Sequence, residues 1–266
     1  MQRPVRPNPR ILTVKSSRYV TPHMIRVTLT GDSLADFPLG QEGAHCKLAF
    51  PRDGEDKDSF ASHYAAGRPK ERLHAVRTYT VRAFRQAERE MDIGFVAHGD
   101  SGPGTLWAQK AEEGSFLAFM GPGPVKMTHF HADWYLVAAD MSALPVAAAS
   151  LEAMPADAKG LAIFEILSEE DRQTDIRIPE GIEVHWLVQP DPHVATSIQI
   201  DFLRAQPWPE GRVQTCIAGE STAIRSFREF VLKDKGVDKA DAYISGYWKV
   251  GLVEDEHQEM KRLEPA

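Results

Sequence analysis

The sequence predicts a two-domain α/β protein: an antiparallel β-barrel followed by a doubly wound parallel α/β sheet. Three observations predict it. Through the first ~120 residues, apolar and polar residues alternate in short runs, the period of strands. Gly121-Pro-Gly-Pro124 then interrupts the chain as a strong turn signal. Behind it, short apolar runs alternate with stretches of helical spacing, as they do where helices cover a parallel sheet. A boundary at this turn divides the chain into residues 1–123 and 124–266.

The elements follow in order. Ile11 to Val20 and Met24 to Thr30 alternate as strands, with Thr21-Pro22 as the turn between them. Ala44 to Phe50 is a third short strand. Pro51 to Arg72 is polar, charged and weakly periodic, and reads as a long surface loop. His74 to Ala83 and Met91 to Ala97 resume the strand pattern, Thr105 to Lys110 is a short helix, and Gly114 to Met120 closes the set. Several short strands with one short helix suit a barrel, not a bundle. Past the turn, Trp134 to Ala139 is the apolar run of a buried parallel strand. Ser142 to Met154 is a helix, and Leu161 to Leu167 and Ile182 to Val188 are strands. Thr196 to Arg204 is helical, Val213 to Ala218 is a strand, and Ser221 to Lys235 is a helix. Ala242 to Ser245 is a last strand and Glu254 to Leu263 a last helix. No internal repeat is present.

Composition narrows the function. Of 266 residues, 42% are hydrophobic and 26% charged, ordinary for a soluble globular chain. The net charge of −7 argues against bulk binding to nucleic acid or an anionic membrane. No apolar run approaches a membrane span. Met1 to Pro9 lacks the apolar core of a signal peptide, so a cytoplasmic protein is expected. Cys46 and Cys216 are far apart and form no Cys-x-x-Cys pair, which excludes a zinc knuckle or an iron–sulfur cluster built from this chain's thiolates. Two buried free thiols are expected instead.

The segment with the most chemistry is Arg77-Thr-Tyr-Thr-Val-Arg82. On a strand, Arg77 and Tyr79 share a face. A guanidinium suits a phosphate, and a phenol ring can lie against a flat isoalloxazine. The hydroxyl and N–H of Thr80 can reach polar atoms on a flavin rim. About twenty residues on, His98-Gly-Asp-Ser-Gly-Pro-Gly-Thr105 opens a short helix whose unpaired N–H groups suit a diphosphate.

In the second half, ligands are expected beyond the carboxyl ends of the strands. The first strand ends at Asp140, where a dinucleotide fingerprint would sit, yet G-x-G-x-x-G is absent. Ser142 and nearby N–H groups could meet a phosphate, or the segment could be a capped helix packed on a sheet; both readings stand on this local pattern. Gly219-Glu-Ser-Thr-Ala-Ile-Arg225 repeats the arrangement, with Ser221 or Thr222 as the expected helix cap.

Taken together, these motifs resemble the siderophore-interacting proteins, FAD-containing ferric-siderophore reductases of the ferredoxin-reductase superfamily. The matching stretches are Arg77 to Arg82, His98 to Gly104 with Trp107-Ala108, Gly121 to Pro124, Asp140-Met-Ser-Ala-Leu-Pro145, Gly219 to Arg225 and Gly246-Tyr-Trp-Lys-Val-Gly251. They span nearly the whole chain in a consistent order.

The resemblance implies a flavin-binding barrel and a nicotinamide-nucleotide domain. It implies FAD contacts from Arg77, Tyr79, Thr80, Val81 and Arg82, and from His98, Gly99, Gly102, Gly104 and Thr105. It places NAD(P)H against Asp140, Met141, Ser142 and Ala143, with Glu220 and Arg225 beside them. The segment Glu165 to Arg172 would lie near the adenosine ribose. There Arg172 would favour a 2′-phosphate, while Glu169 to Asp171 would repel it, so NADPH and NADH both remain open. For an anionic ferric siderophore, catecholate or hydroxamate, the matching basic positions are Lys47, Lys126 and Lys249.

The implied chemistry needs no nucleophile or triad. Oxygen donors hold hard Fe(III) tightly and fit Fe(II) less well, so one electron loosens the complex. Flavin bridges the two electrons of a hydride to single-electron transfer. The histidines then read as surface or core fillers; His129 and His131 share a strand-like face but lack a third metal ligand nearby. Other readings are a ferredoxin as electron donor and a siderophore-binding protein without redox activity, against which Arg77-Thr-Tyr-Thr80 argues. A reductase component serving an oxygenase would be expected to carry a Cys-rich iron–sulfur domain.

Overall fold

The computed structural model of the protein describes residues 8–67, 69, 73–97 and 102–252. The chain divides into two compact units, Met1–Val125 and Lys126–Ala266.

In the first unit the alternating segments become six strands: β1 (Arg10–Thr21), β2 (Met24–Thr30), β3 (His45–Ala49), β4 (Val76–Arg85), β5 (Glu90–Val96) and β6 (Phe116–Met120). They close into an antiparallel barrel in the order β1-β2-β5-β4-β3-β6, and closure leaves no strand edge open. Alternation decides the interior: Leu12, Val27, Leu48, Val81, Ile93 and Phe119 face one core. Strand β4 pairs with β3 along its first half, Tyr79 opposite Cys46 and Thr80 opposite His45. It pairs with β5 along its second half, and the register shifts between Val81 and Ala83. Arg82 therefore sits at a bulge, a device that bends a strand and re-aims its side chains.

The segment 51–72 is not simply a loop. Lys57–Tyr64 forms helix α1, and the Asp56 carboxylate caps it by accepting the N–H groups of Asp58 and Ser59. Phe60 and Tyr64, one turn apart, pack with Ile11, Val76 and Phe116 on Ala49 and Ala118. The helix thus covers the outside of β3 and β6. Only two apolar positions in a polar stretch carry the period, too few to signal a helix. The short helix predicted from Thr105 starts two residues earlier, as α2 (Pro103–Lys110).

The second unit carries β7 (Trp134–Ala139), α3 (Leu144–Ala153), β8 (Lys159–Ile166), β9 (Gly181–Val188), α4 (Ile198–Ala205), β10 (Val213–Glu220), α5 (Ser221–Arg228) and β11 (Ala242–Trp248). Its five strands are parallel, in the order β11-β10-β7-β8-β9. Tyr135, Val137 and Ala139 pack with α3 on one face. Leu136 and Ala138 pack with Ile200, Leu203, Ile224 and Phe227 of α4 and α5 on the other. This is the doubly wound sheet expected from the apolar runs.

The predicted helix Ser221–Lys235 holds its α form only to Arg228 and widens to a π-turn over Glu229–Asp234. The wider turn lets Phe227, Phe230 and Val231 all reach the core. The predicted helix Glu254 to Leu263 lies outside the described residues.

The chain runs outward from β7 to β9, then returns to the other side of β7 with β10. The carboxyl ends of β7 and β10 therefore flank the point where strand order reverses, the usual place for a ligand in such sheets.

Candidate functional site

Two sets of groups stand out, one in each unit. In the barrel, Thr80 and Arg82 are buried, at 4% and 5% exposure, while Arg77 and Tyr79 are half-buried on the same strand. The Arg77 guanidinium donates to the Val76 carbonyl at 2.9 Å. The Tyr79 ring leans on Phe95, with centroids 4.5 Å apart, and meets Phe50 edge-on at 6.2 Å. Trp107 of α2 packs on the same two phenylalanines, so it is a packing residue of that helix. Val81 is fully buried in the barrel core, and Cα pairing with Ile93 places it in the wall.

Helix α2 begins beside this strand. Gly102 precedes it at φ 99°, a conformation L side chains avoid, and no described side chain caps its first N–H groups. Gly104 lies so close to the Tyr79 hydroxyl that a Cβ there would collide with it. The Thr105 hydroxyl donates to the Val96 carbonyl at 3.1 Å and ties the helix to the end of β5. Uncapped amides at the start of α2, a tyrosine against them and two guanidinium groups on that tyrosine's strand fit a group that is both anionic and flat. A flavin dinucleotide has that chemistry, so these residues fit FAD. His98 and Gly99 lie outside the described residues.

At the carboxyl edge of the second unit, Asp140 directly follows β7 and Glu220 ends β10, and both are buried. The Asp140 carboxylate accepts the N–H of Ser142 (2.9 Å), the hydroxyl of Ser142 (2.6 Å) and the N–H of Ala143 (3.1 Å). It also accepts the indole N–H of Trp248 at 2.7 Å. The Glu220 carboxylate accepts the N–H groups of Thr222 (2.6 Å), Ala223 (3.1 Å) and Val250 (3.3 Å). Glu220, not Ser221 or Thr222, is therefore the cap of α5. The amides of Ser142 and Ala143, one of the two readings for a phosphate site, already have an anionic partner. Met141 is itself buried, at 5% exposure.

Beside Asp140, on the side away from β10, stands Glu165, near the end of β8. Burial, then the charges of Asp140 and Glu220, pushes its carboxyl up to about 8, and its Oε2 is buried without a hydrogen-bond partner. Burial also raises Asp140, against the pull of its hydrogen bonds. Close by, buried Gln199 on α4 donates to the carbonyls of Ala139 and Ile163, at 3.0 and 2.9 Å, and holds the ends of β7 and β8 together.

Arg172 is paired with Glu169. Of the acids around it, Asp171 turns inward and accepts the N–H and hydroxyl of Ser168 at 3.0 and 3.1 Å. Arg225 lies on the exposed face of α5. Lys47 on β3 donates to the Thr78 hydroxyl at 2.8 Å. Lys126 is exposed at the start of the second unit, and Lys249 is half-buried just past β11. His131 is held by Asp241 at 2.9 Å, and no group of three His, Cys, Asp or Glu among the described residues is placed to hold a metal. Both cysteines are buried and free. No helix among the described residues is long and apolar enough to cross a membrane.

Sequence reading missed the roles of Trp248, Glu165 and Gln199. A lone acid inside the apolar run Leu161 to Leu167 was the available signal for Glu165; nothing local marks Gln199 or the target of the Trp248 indole.

Comparison with known proteins bears on both units. Residues 13–126 match the family described as siderophore-interacting FAD-binding domain. Residues 132–251 match the siderophore-interacting protein family. The chain is 35% identical over 268 residues to the ferric vibriobactin reductase ViuB of Vibrio cholerae, covering 96% of this chain and 94% of that one. The crystal structure of the siderophore-interacting protein SipS from Aeromonas hydrophila superposes with a TM-score of 0.82 at 33% identity, over 96% of this chain and 97% of that one. Ferredoxin-NADP+ reductase from Plasmodium falciparum shares the fold, at a TM-score of 0.61 and 10% identity over 90% and 97% of the two chains.

Proposed function

From the premise that this chain belongs to the siderophore-interacting protein family, we propose that it reduces the ferric ion of an anionic catecholate or hydroxamate siderophore. FAD is its cofactor, and NADPH or NADH is the electron source. The observation that carries the reading is the pair of family matches, which cover both units in chain order. The uncapped start of α2 beside the Arg77 to Arg82 strand supports the cofactor. The balance is one nicotinamide for two ferric ions: NAD(P)H and two Fe(III) give NAD(P)+, one proton and two Fe(II).

When bound, FAD supplies the conversion of a two-electron hydride donor to single-electron delivery. The chain's own residues hold and orient. Arg77 and Arg82, with the N–H groups of Gly102, Gly104 and Thr105, would take the diphosphate. Tyr79 and Thr80 meet the ring system, with Val81 as the wall behind them. Lys47, Lys126 and Lys249 supply positive charge for the anionic chelate on a chain whose net charge is −7. The Fe(II) product is bound less tightly by hard oxygen donors and leaves the chelate in the cytoplasm.

A ferredoxin donor is the second reading. It is favoured by the amides of Ser142, Ala143, Thr222 and Ala223, all occupied by carboxylates where a nucleotide diphosphate would otherwise sit.

The test is an anaerobic titration of the purified protein with NADH or NADPH, with a ferric catecholate and a ferrous trap present. A yellow protein that bleaches and delivers trapped Fe(II) supports the first reading. A yellow protein that neither coenzyme reduces supports the second. A colourless protein that takes up no FAD sinks both.

A further inference from the structure

We propose that Asp140 and Glu220 are positioning residues for Lys249, and that they set the affinity for the ferric chelate by clamping the segment Trp248-Lys249-Val250 from both sides. The proposal rests on the reading of Lys249 as a chelate contact.

The geometry is specific. Strand β11 pairs with β10 up to Trp248 opposite Glu220, with a register shift after Gly219. At that point regular pairing ends, and side chains take over. On the amino side of Lys249, the Trp248 indole N–H reaches the Asp140 carboxylate at 2.7 Å. The Trp248 carbonyl accepts the Ser221 hydroxyl at 2.9 Å. On the carboxyl side, the Val250 N–H reaches Glu220 at 3.3 Å. The Lys249 carbonyl closes a turn by accepting the Leu252 N–H at 3.1 Å. The residues on either side of Lys249 are thus held by Asp140 at the end of β7, Glu220 at the end of β10 and Ser221 at the start of α5.

Both acids are themselves held in place by burial and hydrogen bonds. Each is more than nine-tenths buried, and each also caps a helix start, Asp140 through Ser142 and Ala143 and Glu220 through Thr222 and Ala223. Hydrogen bonds to an ionised acceptor are the strong ones, above all in a buried setting. A lysine on an unpinned loop would lose backbone and side-chain freedom on meeting its ligand. A pinned one has lost the backbone share beforehand, which is the advantage of preorganisation.

The test is a double-mutant cycle read by calorimetry on the FAD-loaded protein, with gallium(III) catecholate as the redox-inert probe. Lys249→Ala weakens binding. Trp248→Phe and Glu220→Gln each weaken it by about 3- to 10-fold, up to the low end of what fixing one residue's backbone accounts for. In the Lys249→Ala background the same two changes cost less than about twofold, because coupled residues are not additive. Flavin absorbance and Tm report folding separately, and Glu220→Gln keeps an oxygen on the α5 amides where Trp248→Phe fails to fold. Equal losses in both backgrounds overturn the clamp. If Lys249→Ala leaves the dissociation constant unchanged, the clamp also falls; continued delivery of Fe(II) by that variant would show that the reductase reading stands without it.

Discussion

Gly104 and Tyr79 occupy the same space to within one carbon atom: a Cβ on Gly104 would collide with the Tyr79 hydroxyl. The contact sets how near the start of α2 comes to the Arg77 to Arg82 strand. Gly104→Ala forces the tyrosine or the helix to move, and overpacking of this kind costs roughly 1–3 kcal/mol. The expected result is a protein that folds but loses flavin, with its 450 nm to 280 nm absorbance ratio at least about threefold lower. A variant with full flavin and an unchanged Tm would show that this approach does not shape the cofactor site.

Glu165 makes the second unit sensitive to alkali. Its folded value of about 8 lies above the 4.5 of an unperturbed glutamate, so the folded state holds the proton more tightly than the unfolded one. That contribution is fully present below pH 4.5 and is lost as pH rises through 8. Glu165→Gln keeps the shape without the ionisation. It is expected to gain stability over the parent between pH 5 and pH 9 by roughly 2–4 kcal/mol, read from denaturant midpoints at both values. A constant difference across that range would mean that Glu165 is ionised throughout.

Glu55 works in the opposite direction. Burial pushes its carboxyl up, but hydrogen bonds from the Arg52 N–H, His74 and the Arg52 side chain outweigh this and bring it down to about 2. His74 in turn contacts the Tyr64 hydroxyl of α1 at 3.1 Å, so the carboxylate anchors α1 to the approach to β4. The depressed value gives stability that is present above pH 4.5 and lost as pH falls toward 2. Glu55→Gln is expected to lower Tm by roughly 3–6 °C at pH 7 and by progressively less in acid. A gap that widens on acidification would contradict this.

Arg172, the residue expected to meet a 2′-phosphate, has its guanidinium engaged by Glu169. Arg172→Ala is expected to change kcat/KM for NADPH by less than about threefold, the worth of an exposed ion pair. Glu169→Gln releases the guanidinium and raises NADPH use while leaving NADH use alone, measured as flavin bleaching by each coenzyme. A tenfold loss of NADPH activity in Arg172→Ala would place the 2′-phosphate on this arginine after all.

Much of this was legible in the chain, for local reasons. Alternation along Ile11 to Thr30 and in the later runs marked all six barrel strands, because a strand with one buried face must repeat every two residues. The apolar runs of the second half marked its parallel strands, because helices bury both faces of that sheet. The gathering of Arg77, Tyr79, Thr80 and Arg82 on one strand was equally readable, because all four lie within six residues.

What the tertiary structure decided concerns groups distant in sequence. Helix α1 owes its place to an apolar patch made by β3, β6 and Phe116, which a polar local sequence cannot announce. Asp140 and Glu220 carry the residue type of nucleotide ligands, yet their lone pairs are occupied by Trp248 and Val250, 108 and 30 residues away. A hydrogen bond is set by where two backbones pass each other in space. The sequence by itself determined most of the elements and the kind of chemistry they carry; only the folded sheet, by bringing three strand ends to one edge, decided which acids are anchors and which carboxyl burial and neighbouring charge push upward.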